Sequence, residues 1–270
     1  MKQGLEKKRW SDEVFSFLTQ RIPDRPGLAC FDFDNTLIHN DFGERLMEAI
    51  VKEGMPFLPK DLSHYFQDTA FWKDHHTKPL AEKEVRLWEE YSHRLKEDGV
   101  ESAYRWTSFL FQGFSISEFN SFSRVKWNEV SRKKDALAVF PQPEMLDLIA
   151  FLQMYNWEIY VVTASPELGI RAIISFFGLE ESKVLGMKQT LDENQKTTAE
   201  IIEPYTYGDG KVKAIQHFIG KTPDLAFGDS MNDYPMLCYA KKGIGIDKGS
   251  LEFRTACQKS GLLLQPFFEA

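Results

Sequence analysis

The chain has 270 residues, of which 43% are hydrophobic and 27% charged, and its formal net charge is -7. This composition is that of a globular protein and excludes the disordered and fibrous classes. The negative charge argues against a nucleic-acid backbone as the main partner, because such a partner requires a basic face.

Cysteine usage and hydropathy limit the class of protein further. The three cysteines are too few for a disulfide framework and are not spaced as metal ligands, so we expect reduced thiols. No stretch reaches the roughly 18 consecutive apolar residues of a membrane span, and the charged amino terminus lacks the apolar region of a secretory signal. We expect a cytoplasmic protein without a membrane partner, and nothing in the sequence predicts its oligomeric state.

The amino-terminal residues predict a helix followed by a buried strand. Residues 11–22 have the periodicity of an amphipathic helix, and Pro23 is expected to end it. Leu28–Phe33 predicts a buried strand, yet Asp32 and Asp34 lie at its carboxyl end. Strand interiors avoid aspartate, because a buried carboxylate requires a partner. The pair therefore indicates that a cation binds at this strand end.

Residues 44–138 differ in character from the rest of the chain. They contain helical patterns, for example over 81–96, and no convincing strand, so we expect an all-helical insertion. His75 and His76 have no matching ligand cluster, and no metal site is predicted there. Four of the six tryptophans fall in this region and are expected to form mainly its core: Trp72, Trp88, Trp106 and Trp127.

From about residue 143 onward, helical and strand patterns alternate. Helices are predicted over 145–155, 166–177, 212–219 and 234–239, and strands over 159–162, 184–187, 224–227 and 243–246. Residues 188–205 suit a hairpin or an extended excursion. The alternation predicts an α/β fold with a Rossmann-like parallel sheet and helices on both faces. We expect residues 1–43 and 139–270 to form this core domain and residues 44–138 to form a helical cap.

Polar side chains lie where the predicted strands end and where one helix begins. They are Asp32 and Asp34, then Thr163 and Ser165, then Lys211, and finally Asp229, Asn232 and Asp233. Ligands of open parallel sheets bind beyond the carboxyl ends of the strands. The set supplies a carboxylate nucleophile, oxygen ligands for Mg²⁺, a hydroxyl and an ammonium group for phosphate oxygens, and a second carboxylate for proton transfer. It therefore predicts phosphoryl transfer.

Four motifs carry a specific resemblance to a known family. They are FDFDNT (31–36), VVTAS (161–165), GKVK (210–213) and GDSMND (228–233), in this order. The sequence resembles the haloacid dehalogenase superfamily, in the branch of phosphoserine-phosphatase-like enzymes whose helical cap is inserted after the first strand. The resemblance implies a Mg²⁺-dependent phosphatase that forms an aspartyl phosphate.

The first two motifs imply roles in the chemical steps. By resemblance, Asp32 matches the nucleophile, and Asp34 matches the acid/base whose backbone carbonyl binds the metal. Thr163 matches the phosphate-binding hydroxyl, and Ser165 is a further candidate for binding phosphate.

The last two motifs imply roles in charge stabilisation. By resemblance, Lys211 matches the lysine that steadies the nucleophile and the phosphate, with Lys213 as the alternative. Asp229 matches the third protein ligand of the metal. Asn232 and Asp233 match the residues that complete or orient the metal site.

The substrate is less well indicated than the reaction. Phosphoserine phosphatases have a glutamate nine residues after the nucleophile that faces the substrate ammonium group; this chain has Asp41 there, followed by Glu44. The acidic residues and the aromatic-rich cap also resemble phosphocholine and phosphoethanolamine phosphatases. We expect a small phosphomonoester, with amino or ammonium alcohols ahead of sugar phosphates. Arginines that might bind a phosphoserine carboxylate leave this choice open: Arg86, Arg94, Arg105 and Arg124.

Two other classes of function stay open at this point. A phosphotransferase or mutase would use the same aspartyl phosphate but pass the phosphoryl group to an alcohol. A non-catalytic phosphate-binding module would keep the fold without the chemistry. For a catalytic cap that opens and closes, we expect hinges near residues 40–44 and 136–142.

Overall fold

The computed structural model describes residues 4–53, 57–133 and 138–268. Its strands are β1 (Leu28–Phe31), β2 (Ile38–His39), β3 (Phe140–Pro141), β4 (Glu158–Pro166), β5 (Val184–Met187), β6 (Gln189–Leu191), β7 (Thr197–Ile201), β8 (Leu225–Gly228), β9 (Lys242–Asp247) and β10 (Leu263–Pro266). Its α-helices are α1 (Asp12–Asp24), α2 (Phe42–Lys52), α3 (Thr69–Lys73), α4 (Leu80–Glu97), α5 (Val100–Thr107), α6 (Ile116–Val130), α7 (Pro143–Met154), α8 (Glu167–Ile173), α9 (Asp209–Ala214), α10 (Tyr234–Tyr239) and α11 (Leu251–Lys259). Short 3-10 turns lie at Ser63–Tyr65, His75–Thr77, Ser108–Phe111, Ile174–Phe177 and Glu181–Lys183, and a π-helical turn at Ile215–Ile219. Among the described helices, none combines the length and the apolar character that crossing a bilayer requires.

Six strands form a central parallel sheet in the order β10-β9-β8-β1-β4-β5. β1 lies between β4 and β8, and all four of its residues are buried. A parallel strand covered on both faces forms a continuous apolar run, which is the pattern of Leu28–Phe31. The predicted α/β class with a parallel sheet is confirmed.

Successive side chains of β1 point into two different apolar clusters, one on each face of the sheet. Phe31 stacks on Phe227 of β8 in the larger cluster, with their ring centroids 4.5 Å apart. Cys30 lies in the other cluster, with Met236 of α10 and Phe253 of α11. Helices therefore cover both faces of the sheet, as predicted.

The bounds of the helices differ from the prediction mainly at their ends. α1 continues past Pro23 to Asp24, because a proline in the last turn removes one hydrogen bond and leaves the preceding turns intact. α9 begins at Asp209, before the predicted start at residue 212, and follows Gly208, whose φ of 53° favours glycine. The earlier start places Lys211 in the first turn of the helix.

The part of the chain described between α2 and α6 contains helices and irregular segments and no strand. α2 packs against α4 and α6, and α6 packs against α8. Side chains such as Leu46 and Trp127 join the larger apolar cluster, which extends from the sheet into these helices. His75 is buried, and its Nε2 lies 2.9 Å from the carbonyl oxygen of Pro59.

β6 and β7 form the predicted hairpin, and their pairing is antiparallel. The side chain of Asp192 shapes the turn by accepting hydrogen bonds from the backbone N–H groups of Asn194 and Lys196. The hairpin packs against the segment before α6, where the N–H of Thr197 donates to the carbonyl oxygen of Phe114 over 2.8 Å. The hairpin thus links the sheet to the helical segment.

Candidate active site

The predicted polar residues meet at the carboxyl edge of the central sheet, where they line a cavity of about 190 Å³. The first strand to reach it is β1, which is followed directly by Asp32. Eight of the nine predicted site residues line this cavity: Asp32, Asp34, Asp41, Thr163, Ser165, Asp229, Asn232 and Asp233. The ninth, Lys211, forms ion pairs with two of them, Asp32 and Asp233. Parallel strands end at one edge of the sheet, which explains why residues so distant in sequence converge there.

Lys211 bridges two carboxylates of the site. Its Nζ lies 2.6 Å from Oδ1 of Asp32 and 2.6 Å from Oδ1 of Asp233, and the side chain is fully buried. Burial alone lowers the pKa of this ammonium group, but Asp233 and Asp32 outweigh that effect and raise it, so the group stays charged. Lys213 is exposed on the same helix. Of the two candidate lysines, Lys211 is therefore the one that contacts Asp32.

Gly210 permits the close approach that positions Lys211. A Cβ atom added there would lie 1.7 Å from the carbonyl oxygen of Tyr205, a distance that no backbone tolerates. The start of α9 is tied to the loop after β8 by Asn232, whose Oδ1 accepts a hydrogen bond from the N–H of Gly208 over 2.5 Å. Asn232 thus fixes the position of the helix that carries the lysine.

Asp233 organises the loop after β8. Its Oδ2 accepts hydrogen bonds from the backbone N–H groups of Asp229 and Ser230, over 3.0 and 3.2 Å, and from Oγ of Ser230 over 3.0 Å. The other oxygen of Asp233 binds Lys211. With both oxygens engaged, Asp233 holds the loop and the lysine in one arrangement.

Three buried carboxylates form a cluster that fits a metal ion. Ligand oxygens of Asp32, Asp229 and Asp233 lie within 4.8 Å of one another. Burial, followed by the negative charge of Asp233, raises the pKa of Asp32 to about 8 and that of Asp229 to about 6. Hard carboxylate oxygens crowded in this way match the ligand preference of Mg²⁺, whose charge would offset their repulsion.

Asp34 is held in a different environment from Asp32. Its Oδ2 accepts a hydrogen bond from Oγ of Ser165 over 2.5 Å, and its Oδ1 accepts one from the N–H of Phe42 over 2.7 Å. Burial, followed by the charge of Asp41, raises the pKa of Asp34 well above its ordinary value. A carboxyl group that keeps its proton in this way is suited to act as a general acid.

The hydroxyl groups of β4 take two different positions. Oγ1 of Thr163 accepts a hydrogen bond from the N–H of Ser165 over 3.1 Å, which leaves its own hydrogen available to the cavity that it lines. The hydroxyl of Ser165 is engaged by Asp34. Thr163 therefore has a hydrogen-bond donor free for the cavity, whereas the hydroxyl of Ser165 binds Asp34.

The helical segment supplies the opposite wall of the cavity. Asp41 caps α2, with its Oδ1 accepting the N–H of Glu44 over 2.7 Å, and both acids line the cavity. Burial, followed by the charge of Glu44, raises the pKa of Asp41 to about 7, while Arg45 and Lys248 lower it. Sequence reasoning identified this acidic pair but not its counter-ions.

Among the described residues, the aromatic lining of the cavity includes two tyrosines and no tryptophan, in keeping with the expectation that the tryptophans form mainly core. Tyr91 of α4 and Tyr104 of α5 line it, with nearly parallel rings whose centroids are 6.4 Å apart. Trp72 and Trp127 are buried in the apolar cluster instead. Periodicity alone did not separate tyrosines facing the cavity from tyrosines facing the core.

Of the described residues that line the cavity, the basic one is a lysine and not one of the arginines whose role the sequence left open. In the part of the chain that the structure describes, no arginine lines the cavity. Arg105, one of the candidates for binding a carboxylate, is engaged by Glu203 over 2.8 Å. Lys248, which follows β9, does line the cavity, and its Nζ lies 2.7 Å from Oδ2 of Asp229. The sequence analysis did not identify Lys248; its place just after a parallel strand is the signal that could have found it.

The predicted hinges lie beside a small antiparallel sheet formed by β2 and β3. Asn40 anchors the first hinge, because its Nδ2 donates to the carbonyl oxygen of Ala138 over 2.8 Å. Residues 136 and 137 of the second hinge lie outside the described residues.

Comparison with known proteins places the chain in a family. A family model of haloacid dehalogenase-like hydrolases matches residues 29–238, a span that includes all four motifs. The chain belongs to this family. The hydrolase therefore has the superfamily and the enzyme class that its motifs predicted. A search of curated proteins finds no significant match to the sequence.

Solved structures share the fold of this hydrolase at low sequence identity. A protein of unknown function from Anaerococcus prevotii is 17% identical, with a TM-score of 0.72 over 98% of this chain and 94% of that chain. A protein of unknown function from Bordetella pertussis is 18% identical, with a TM-score of 0.68 over 90% and 100% of the two chains. A substrate-bound phosphoserine phosphatase is 15% identical, with a TM-score of 0.53 over 90% and 95%. At these identities, the likeness shows the fold alone.

Proposed function

We propose that this hydrolase is a Mg²⁺-dependent phosphatase that cleaves a small phosphomonoester through an aspartyl phosphate on Asp32. The observation that carries the proposal is the contrast between the two aspartates of the first motif. Asp32 is paired with Lys211 over 2.6 Å, whereas Asp34 is bound by the hydroxyl of Ser165 over 2.5 Å. The ammonium group of Lys211 opposes the effect of burial on the pKa of Asp32 and favours its charged form for attack. Burial and the charge of Asp41 favour the protonated form of Asp34 for transfer.

The first step forms a bond between an oxygen of Asp32 and phosphorus while the bond to the leaving alcohol breaks. Asp34 gives its proton to the leaving oxygen. The ammonium group of Lys211 and the hydroxyl of Thr163 stabilise the negative charge of the transferring group. In the second step, Asp34 takes a proton from water, which attacks the phosphoryl group, releases phosphate and regenerates Asp32.

The metal would be held by Asp32, Asp229 and the backbone carbonyl of Asp34, with Asn232 and Asp233 orienting the site. When bound, it supplies positive charge that neutralises phosphate oxygens. The arrangement of three buried carboxylate oxygens within 4.8 Å supports this assignment.

The substrate class follows from the wall opposite the chemistry. The acidic pair Asp41 and Glu44 and the rings of Tyr91 and Tyr104 suit a cationic head group, which both acids and aromatic faces attract. The described lining contains no arginine for a substrate carboxylate. We therefore favour phosphocholine or phosphoethanolamine over phosphoserine. On this proposal, residues 44–138 act as a cap that closes over the substrate.

The test of the reaction is phosphate release from a panel of phosphomonoesters, with Mg²⁺ and with EDTA. The wild type is compared with Asp32→Asn and with Asp12→Asn, a matched change on the exposed face of α1. We expect metal-dependent release by the wild type and the control and none by Asp32→Asn. Phosphoryl transfer to added alcohols in place of water would assign a phosphotransferase. Phosphate binding without turnover of any panel member would assign a non-catalytic module.

The test of the head group is Asp41→Asn, which removes the charge while keeping a side chain that caps helices well. We expect KM for phosphocholine to rise about tenfold, the size of one partly screened charge contact. KM for an aryl phosphate whose organic group carries no positive charge should stay unchanged. Equal effects on both substrates would refute the cationic pocket.

A further inference from the structure

Lys248 is a charged residue of the cavity that the mechanism above does not use. It lies between β9 and α11, and its Nζ is 2.7 Å from Oδ2 of Asp229. The carboxylate of Asp229 is 7% exposed, whereas 35% of the lysine side chain is exposed. The ammonium group therefore reaches a buried metal-site carboxylate from a stem that remains in contact with water.

The backbone that carries Lys248 is anchored on both sides. Asp247 binds Nε of Arg254 over 2.6 Å through one oxygen and accepts the N–H of Gly249 over 2.8 Å through the other. Gly249 has a φ of 100°, which favours glycine and fixes the direction of the turn. Because the loop is held, the lysine side chain is the part of this segment that is free to change position.

The two lysines of the site are held with different strength. Lys211 is fully buried between two carboxylates, so moving its ammonium group would leave both unpaired. Among the described residues, Lys248 forms its ion pair with Asp229, and its charge also lowers the pKa values of Asp41 and Glu44. A lysine head is a strongly hydrated point charge on a flexible stem, so it leaves one ion-pair partner readily when water is accessible. Of the two, Lys248 is the cation that can be displaced.

The ion pair between Lys248 and Asp229 offsets negative charge at the site when no metal ion is bound. The carboxylates of Asp32, Asp229 and Asp233 lie close together, and the two ammonium groups compensate two of their three negative charges. A divalent cation next to Asp229 would repel the ammonium group that now occupies that side of the carboxylate. The same oxygen cannot bind both cations at full strength.

We propose that Lys248 is a counter-ion that pairs with Asp229 when no metal is bound and is displaced from it by the incoming divalent cation. It is a positioning residue that acts through Asp229. It lowers the affinity for the metal ion, and it keeps Asp229 in position when no metal is bound. The inference rests on the metal site of the proposed function, but it concerns binding and does not depend on the substrate or on turnover.

The test is the affinity for Mg²⁺, measured by titration calorimetry on the full chain without substrate. Lys248→Met removes the charge and keeps the apolar stem, Lys248→Arg keeps the charge, and Lys241→Met is the control at a lysine paired with Asp224 away from the cavity. We expect Kd for Mg²⁺ to fall about tenfold in Lys248→Met, the order expected when one partly screened charge beside a divalent ion is removed. Kd should stay near the wild-type value in Lys248→Arg and Lys241→Met.

A second readout separates this role from a merely structural one. Without metal, Lys248→Met should have a lower Tm than the wild type, because Asp229 loses its partner, and Mg²⁺ should raise its Tm by more than it raises that of the wild type. An unchanged or higher Kd in Lys248→Met would overturn the inference and leave the metal site standing. Absence of Mg²⁺ binding by the wild type would overturn both.

Discussion

Thr197 is the residue through which the β6–β7 hairpin is most closely joined to the helical segment. Its Oγ1 donates to the carbonyl oxygen of Phe111 over 2.7 Å and accepts the N–H of Phe114 over 3.0 Å. Thr197 is 3% exposed, Phe111 2% and Phe114 3%. Replacing Thr197 with valine keeps the shape of the side chain but leaves one carbonyl and one N–H without these partners.

The expected loss follows from the two groups that remain. A buried backbone group that loses its hydrogen-bond partner costs about 1–3 kcal/mol, so the loss of both partners in Thr197→Val should lower the free energy of unfolding by about 2–6 kcal/mol. Thr197→Ser is the matched control, because it keeps the hydroxyl and removes one methyl group. Its loss should be about 1 kcal/mol, the value of one buried methyl.

The assay is equilibrium unfolding in urea, followed by tryptophan fluorescence and by far-ultraviolet circular dichroism. Coincident midpoints from the two signals justify a two-state analysis of each variant. If Thr197→Val proved as stable as Thr197→Ser, the hydroxyl would have no part in joining the hairpin to the helices, and the reasoning would fail.

Three further predictions concern the site and its support. Gly210→Ala should strongly lower Tm and phosphate release, because the added Cβ would collide with the carbonyl oxygen of Tyr205; a Tm within a degree of the wild type would contradict this. Lys211→Met should abolish turnover and destabilise the metal-free protein by about 3–5 kcal/mol, because two buried carboxylates lose their partner; thermal unfolding with and without Mg²⁺ measures the loss and its partial recovery. Burial is the largest influence on Glu144 and raises its pKa, but the hydrogen bonds and charge of Arg9, together with backbone hydrogen bonds, outweigh it and hold the pKa below the ordinary 4.5. The stability that this pair contributes should therefore be present above pH 4.5 and lost as pH falls further, so that wild type and Glu144→Gln differ in urea midpoint at pH 7 and converge in acid.

Part of the fold was predictable because its signals are local. The apolar runs before Asp32 and before Asp229 each formed a strand of the central sheet. The polar segment around Asp192 formed the turn of the β6–β7 hairpin. Each pattern depends on the alternation of side chains or on turn chemistry within a few residues. The start of α9 was misplaced, since the glycines before Lys211 resembled a loop and not a helix start.

The site was predictable as far as its residues come from strand ends. Asp32, Thr163 and Asp229 meet because parallel strands end at one edge, a rule that holds for any such sheet. The contacts between these side chains could not be predicted in the same way. The hydroxyl of Ser165 binds Asp34 and does not point into the cavity unpaired, and this depends on a contact between residues 131 positions apart.

The sequence by itself determined the α/β class, the carboxylates at the strand ends and the family of the hydrolase, because periodicity and motif spacing are properties of the chain. Only the tertiary structure decided that Lys211 and not Lys213 meets Asp32, and that Tyr104 lines the cavity. Only the tertiary structure placed Lys248 on Asp229. These outcomes depend on the rotation of each helix against the sheet and on packing between distant segments, which no local pattern encodes.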